Sequence, residues 1–211
     1  MYAPITFLFY IMNIFYLDKN PQVCAEMHND KHCIKMILEY AQLLSTAHRV
    51  LDGNQSVCHS KTGRKQTRYV LSDNRDSILY SATHINHPSA IWVRQSLSNY
   101  MWLSHLLVEL CHEYTYRYGK VHKCESIGLV KCLLNNVPEN IPNGPFTEPT
   151  PAMPDDVKVT GNSLASYRNY YIMNKTHLAS WSGKVNSRPV PEWYEKGTNT
   201  NLNQFGHYNT V

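Results

Sequence analysis

Two spacings of apolar residues organise the chain. MNIFYLD at 12–18 alternates weakly and predicts a short strand or an extended arm. Asn20-Pro21 then sets an N-cap residue before a proline at the first helical position. From Val23 the sequence runs without glycine or proline to Asp52-Gly53, which predicts one long helix of about 30 residues with a glycine stop. On a helical wheel Val23, Met27, Ile34, Ile37, Leu38, Ala41 and Leu44 share one side. Residues 53–72 are polar and basic, with Lys61, Arg64, Lys65 and Arg68, and predict a loop or small hairpin. Ser72-Asp73 caps a short helix reaching about Thr83. Asn86-His87-Pro88 restarts a helix that runs to Tyr118 and stops at Gly119, with Trp92, Leu97, Met101, Leu106 and Leu110 among its apolar positions. A further short helix is expected over 125–134. The prolines between 137 and 157 predict an extended, polyproline-like strap. Ser163 opens a last helix ending near Trp181, and the Asn/Thr-rich sequence after Lys196 predicts a frayed tail.

The expected fold is therefore mainly α: a compact multi-helix single domain over 12–196, with a Pro-rich strap and a C-terminal aromatic tail. Residues 1–11 read as an upstream extension if Met12 is the physiological start, and 197–211 as an unstructured tail. At 211 residues and 43% hydrophobic, the chain has the length of one domain and too much apolar content for a disordered protein. The net charge of +4 permits a polyanionic partner without demanding one. The 15 tyrosines against 5 phenylalanines suit surfaces that stack as well as cores that pack. None of the six cysteines is in a CxxC pair, which points to reduced thiols and a cytoplasmic protein, in the host cytoplasm if viral. The greasy run from Ile5 to Leu17 is 13 residues long and contains Thr6 and Asn13. A spanning helix needs about 20, and no basic residue precedes the run as in a signal peptide. No membrane association is expected, and the protein reads as a monomer.

The candidate chemistry sits on the polar side of the long helix. His28, Lys31, His32, Lys35, Glu39, Gln42 and Thr46 fall within about 100° of one another. An ordinary solvated face interleaves acids and bases. Here four basic or titratable groups surround one carboxylate, while Glu26 and Asp30 point elsewhere. From His28 to Glu39 the stripe spans roughly 16 Å, about five phosphate steps of one nucleic-acid strand. A carboxylate beside ammonium groups stays charged and can activate water or stabilise positive charge on a sugar ring. A desolvated lysine beside it can act as a nucleophile. His28 and His32 also have the spacing of a helical zinc pair. Lys31 and Lys35 would repel a dication there, and Glu39 lies roughly 10 Å further along the axis. No metal and no cofactor are expected.

Two further constellations stand out. His84-Ile85-Asn86-His87-Pro88 with Trp92 and Arg94 places imidazoles, an amide and a guanidinium at a helix start, either as local capping or as a phosphate seat. Tyr167-Arg168-Asn169-Tyr170-Tyr171, with Trp181, Arg188, Trp193 and Tyr194, mixes aromatics with cations as single-stranded or distorted nucleic acid requires, although helical packing accounts equally well for Tyr167 and Tyr171. Cys111-His112-Glu113 has no partner visible in sequence, and Cys111 reads as core.

The order of these motifs resembles known groups. MNIFYLD, DKHCIKMILEYAQLLSTAH and THINHPSAIW, with the Tyr-Arg-Asn-Tyr-Tyr and Pro-Glu-Trp-Tyr endings, resemble a group of uncharacterised phage proteins. More distantly, His28, Lys31, Lys35 and Glu39, then His87-Pro88 and Trp92, Cys111-His112-Glu113-Tyr114, Arg117-Tyr118-Gly119, Arg188-Pro189 and Trp193-Tyr194 resemble the pyrimidine-dimer DNA glycosylase (endonuclease V-like) superfamily. That resemblance implies a compact helical fold, excision of a damaged pyrimidine through an imine to the sugar, and strand cleavage. It makes Glu39 the essential glutamate and the basic residues around it phosphate ligands. One departure concerns the nucleophile, which in those enzymes is the amine of a threonine exposed by Met removal. Here Asn13 follows Met12, so the Met amine serves, Lys31 or Lys35 replaces it, or the lyase step is absent.

The expectation is a DNA-acting enzyme, a repair-type glycosylase with or without AP-lyase activity on damaged or modified pyrimidines in duplex DNA. Glu39, Lys35 and Lys31 are the catalytic candidates. His28, His32, Gln42, His84, Asn86, His87, Trp92, Arg94, Arg168 and Trp193 are the DNA-binding ones. The alternative is a non-catalytic nucleic-acid-binding phage protein that keeps the basic stripe.

Overall fold

The structure is a computed structural model that describes residues 12–59 and 62–205, without the side chains of 201–205. Its helices are α1 (Pro21–Met27), α2 (Asp30–Asp52), α3 (Arg75–Ile78), α4 (Pro88–Val93), α5 (Leu97–Tyr118), α6 (Lys123–Ser126), α7 (Leu129–Asn135), α8 (Ser163–Asn174) and α9 (Glu192–Phe205). One antiparallel hairpin, β1 (Asn54–His59) and β2 (Lys65–Val70), interrupts them. The fold is mainly α.

The long helix expected over 21–52 is two helices. Asn20 caps α1 as anticipated, its side chain accepting from the Gln22 and Val23 N–H groups. At His28 the backbone turns extended (φ −62°, ψ 134°), and Asn29 caps α2 by accepting from the His32 N–H. The break frees carbonyls that a helix would have used. Arg117 of α5, fully buried, collects them: its guanidinium donates to the Glu26 and His28 carbonyls at 2.9 Å each. Glu113 (2.6 Å) and Asp30 (3.0 Å) pair with it and balance the charge. A tertiary partner 87 residues away from Asp30 therefore overrides an uninterrupted helical sequence.

α5 forms the other half of the core, packing on α1 and α2, while α4 covers α2. The segment 12–17 forms neither helix nor strand and is buried throughout. The Phe15 N–H donates to the Tyr40 hydroxyl (3.0 Å) and the Cys24 thiol to the Phe15 carbonyl (3.3 Å). The helix expected from 86 to 118 also divides. Arg94 leaves helical geometry, and Ser96 caps α5 by accepting from the Asn99 N–H. The Pro-rich strap lies along this junction: the Leu97 N–H donates to the Pro142 carbonyl, Ser96 and Ser98 to those of Pro145 and Gly144, and Trp92 Nε1 to that of Thr147. Gly128, at φ 79°, divides the helix expected over 125–134 into α6 and α7, a backbone angle that favours glycine.

α8 ends at Asn174 rather than near Trp181, whose buried indole donates to the Met27 carbonyl (3.0 Å). Helix α9 reaches Phe205, where fraying was expected after Lys196; its first turn is anchored by buried Tyr194 and half-buried Trp193. Residues 1–11 and 206–211 lie outside the described residues. All six cysteines are free. No helix among the described residues is long and apolar enough to cross a membrane.

Candidate functional site

The stripe read from the wheel does not form as one surface. His28 is fully buried and His32 is 5% exposed. His28 Nδ1 meets the Cys24 carbonyl at 2.7 Å and Nε2 the Tyr40 hydroxyl at 3.3 Å. His32 Nδ1 meets the Tyr171 hydroxyl at 2.6 Å, and its ring stacks on Phe15 with centroids 4.1 Å apart. Burial takes both imidazoles far below the usual histidine range, His28 to about 4. At neutral pH they are uncharged, satisfied core groups, so the assignment of His28 and His32 to DNA phosphates is corrected. The cause is the break at Asn29. It frees α2 to bury Cys33, Met36, Tyr40 and Ala41, which leaves Ile34 and Leu38 exposed beside Lys31 and Lys35.

A shorter strip survives. Lys35 and Glu39 form an ion pair at 2.9 Å, with the lysine side chain 49% and the carboxylate 12% exposed. Half-buried Gln42 follows one turn on, and Thr46 after that. Residues 35, 39, 42 and 46 fall within about 60° on α2. Thr46 closes the strip against the loop ahead of α4: its hydroxyl accepts from the Thr83 N–H (3.2 Å) and lies 3.4 Å from the Thr83 carbonyl. Thr83 Oγ1 in turn meets His84 Nδ1 at 2.7 Å. The two constellations that sequence separated are thus joined through Thr46 and Thr83, with Glu39 about 10 Å along the helix from the junction. Lys31 is exposed at the far end of α2.

The loop has unusual geometry. His84 sits at φ 48°, the one non-glycine residue with positive φ among the described residues, and its ring is exposed. Such backbone costs of order 1–3 kcal/mol and is held by its surroundings. Asn86 is exposed and caps nothing; the N-cap of α4 is His87, whose Nδ1 accepts from the Ser89 N–H (3.1 Å). That bond leaves the proton on Nε2, which is buried without a hydrogen-bond partner. Burial and neighbouring His84 hold His87 below the usual range, so it is neutral. Arg94, at the other end of α4, is half-buried, and its NH1 also has no partner.

The two candidate tryptophans differ in exposure. Trp92 is 1% exposed inside the core, so its assignment as a DNA-stacking group is corrected. Half-buried Trp193 packs on Tyr171 and Tyr194, its Nε1 pointing at Met27 Sδ (3.3 Å) and the Arg168 guanidinium over its ring at 5.2 Å. Arg168 donates twice to the Leu17 carbonyl. These contacts fasten α8 to Leu17 of the N-terminal arm and α9 to α8 and Met27, and they give partly exposed Arg168 and Trp193 packing roles. Cys111 is buried, as expected.

Glu113, which sequence left without a partner, is 3% exposed and grips both Arg117 and Arg188. The signal for half of that network was present in the i,i+4 spacing of Glu113 and Arg117. Among the described residues no group of three or more His, Cys, Asp or Glu could hold a metal ion.

What α2 offers chemically here is a half-buried carboxylate beside a primary amine, two turns from fully buried Thr46, which meets the loop that carries exposed His84. No protein-family model matches the chain, and no curated protein and no solved structure matches it.

Proposed function

We propose that the protein acts on nucleic acid as a base-releasing enzyme, with Glu39 as its acid–base group. The observation that carries this reading is the run from Lys35 and Glu39 through Gln42 and Thr46 to Thr83 and His84. The support it gives is a partly desolvated carboxylate, 12% exposed, beside an amine and on the same side of α2 as Thr46, which holds the His84 loop. In the simplest step Glu39 takes a proton from water and the water oxygen bonds to C1′ of the sugar. The C1′–N bond breaks with its electron pair passing to the base, and the proton on Glu39 completes the released base. Before it takes that proton, the negative carboxylate stabilises the positive charge that develops on the sugar. Lys35, 2.9 Å from Glu39, is the amine placed to form an imine with the resulting aldehyde.

The test is incubation with ultraviolet-irradiated and abasic duplex oligonucleotides, followed by borohydride and by chromatography of released bases. The reading expects base release, with a covalent adduct at Lys35 if the lyase step operates. Absence of both on every substrate removes it.

The i,i+4 pairing of Lys35 with Glu39 is equally an ordinary helix-surface ion pair. It supports the second reading, a non-catalytic nucleic-acid binder, in which Glu39→Gln leaves binding unchanged and no turnover exists to lose.

A further inference from the structure

The hairpin has no packing reason to exist in its present composition. Nine of its twelve residues are exposed and none is buried. A two-stranded ribbon without an apolar face is marginal on its own, and this one is held at its root: Arg49 NH1 donates to the Tyr69 carbonyl (2.9 Å), and Arg68 reaches Ser81 (3.0 Å). Residues 53–72 carry Lys61, Arg64, Lys65 and Arg68 and no aspartate or glutamate. The whole chain has 20 bases against 16 acids, so the remainder balances at 16 against 16. The formal surplus of positive charge therefore belongs entirely to this segment.

Between β2 and residues 79–83 lies a cleft of about 820 Å³ bordered by Arg64, Lys65, Arg68, Tyr69, Ser81 and Thr83. The acid on its wall, Asp76, is engaged by Arg49 (2.7 Å) and by the Leu71 N–H (3.0 Å). Thr83 belongs both to this cleft and to the track leading to Glu39.

We propose that the β1–β2 ribbon is a duplex-DNA docking element that enters the major groove, its cations meeting phosphates on either side. Six residues per strand span about 20 Å, and the major groove of B-DNA admits a two-stranded ribbon. Pleating puts Lys65 and Arg68 on opposite faces, with exposed Gln55 and Ser56 across the ladder at Tyr69 and Arg68. Arginine and glutamine are the side chains that read guanine and adenine edges there. The inference rests on the nucleic-acid reading above and supplies the surface that the corrected histidines do not.

The test is fluorescence anisotropy of the full chain with a 20-base-pair DNA duplex across a salt series. The variants are Lys65→Ala/Arg68→Ala and, as a second pair sparing the Ser81 contact, Arg64→Ala/Lys65→Ala. Losing two phosphate contacts is expected to weaken binding at least about tenfold and to lower the slope of log K against log salt by about 1.8. The thermal midpoint and far-ultraviolet circular dichroism of both pairs are measured alongside, so that a lost phosphate contact is told from a loosened ribbon.

A wild-type slope in both double variants overturns the proposal. So does equal affinity for a duplex of RNA, whose narrow major groove excludes the ribbon. Ribbon-dependent binding to phosphatidylserine vesicles without DNA binding also overturns it. Retained DNA binding in the ribbon variants, with base release lost in Glu39→Gln, would sink the ribbon alone. Ribbon-dependent binding without any base release would leave the ribbon standing and remove the enzymatic reading.

Discussion

His28 and His48 lie inside the protein with every ring nitrogen occupied, and burial lowers each to about 4 from an ordinary 6.5. Above the ordinary value both folded and unfolded chains hold them neutral, and they do not affect the balance. As pH falls below it, the unfolded chain takes up protons that the folded chain refuses, so stability drops until the folded pKa is reached. Urea unfolding between pH 7 and pH 4 should therefore show stability falling by up to about 1.4 kcal/mol per pH unit for each such histidine. His28→Gln should flatten that slope by about one proton; an unchanged slope would place His28 in water.

Arg117 makes the opposite case, a charge retained inside because its partners are there. Arg117→Met leaves Glu113 and Asp30 without the cation that pairs with them. It should cost about 3–5 kcal/mol of unfolding free energy in chemical denaturation. Arg188 still reaches Glu113, which places the loss at the lower end of that range.

At the level of elements, the signals that sequence carries are local. Asn20-Pro21 and Gly119 are caps visible as letters, and the structure uses both of them. The long helix with its break is where local reading stops. Asn29 is a good cap residue, but nothing within a few positions says that the helix should end there. The reason is Arg117, on another helix. Asn29→Ala should cost about 1 kcal/mol through the lost cap, read as a lowered urea midpoint with unchanged m-value.

The inward turn of His28 and His32 was invisible for the same reason, since an imidazole counts as polar until Tyr40 and Tyr171 are known to face it. Helix α9 escapes local reading because its Asn- and Thr-rich letters are poor helix formers; Trp193 and Tyr194 hold its first turn against Tyr171 of α8, Met27 and Trp181. The link between Glu39 and His84 likewise depends on Thr46 meeting Thr83, 37 residues apart.

For the whole molecule, the proposed function assigns binding and chemistry to two places near Thr83. The basic ribbon and its cleft reach Thr83, and the Lys35–Glu39 pair lies along α2 from Thr46, which meets Thr83. The ribbon letters were read as basic, but their significance comes from the charge balance of everything else. The division predicts that binding and chemistry separate by mutation. Changes in the ribbon alter affinity and its salt dependence, while changes at Glu39 alter turnover at saturating DNA.

The most direct measurement is single-turnover base release from an ultraviolet-irradiated duplex by wild-type protein and by Glu39→Gln, with DNA affinity measured alongside. The account predicts that wild type releases base, and that the variant binds as tightly yet loses at least about a hundredfold in rate. Equal rates in the two proteins, or no release by either, would contradict it.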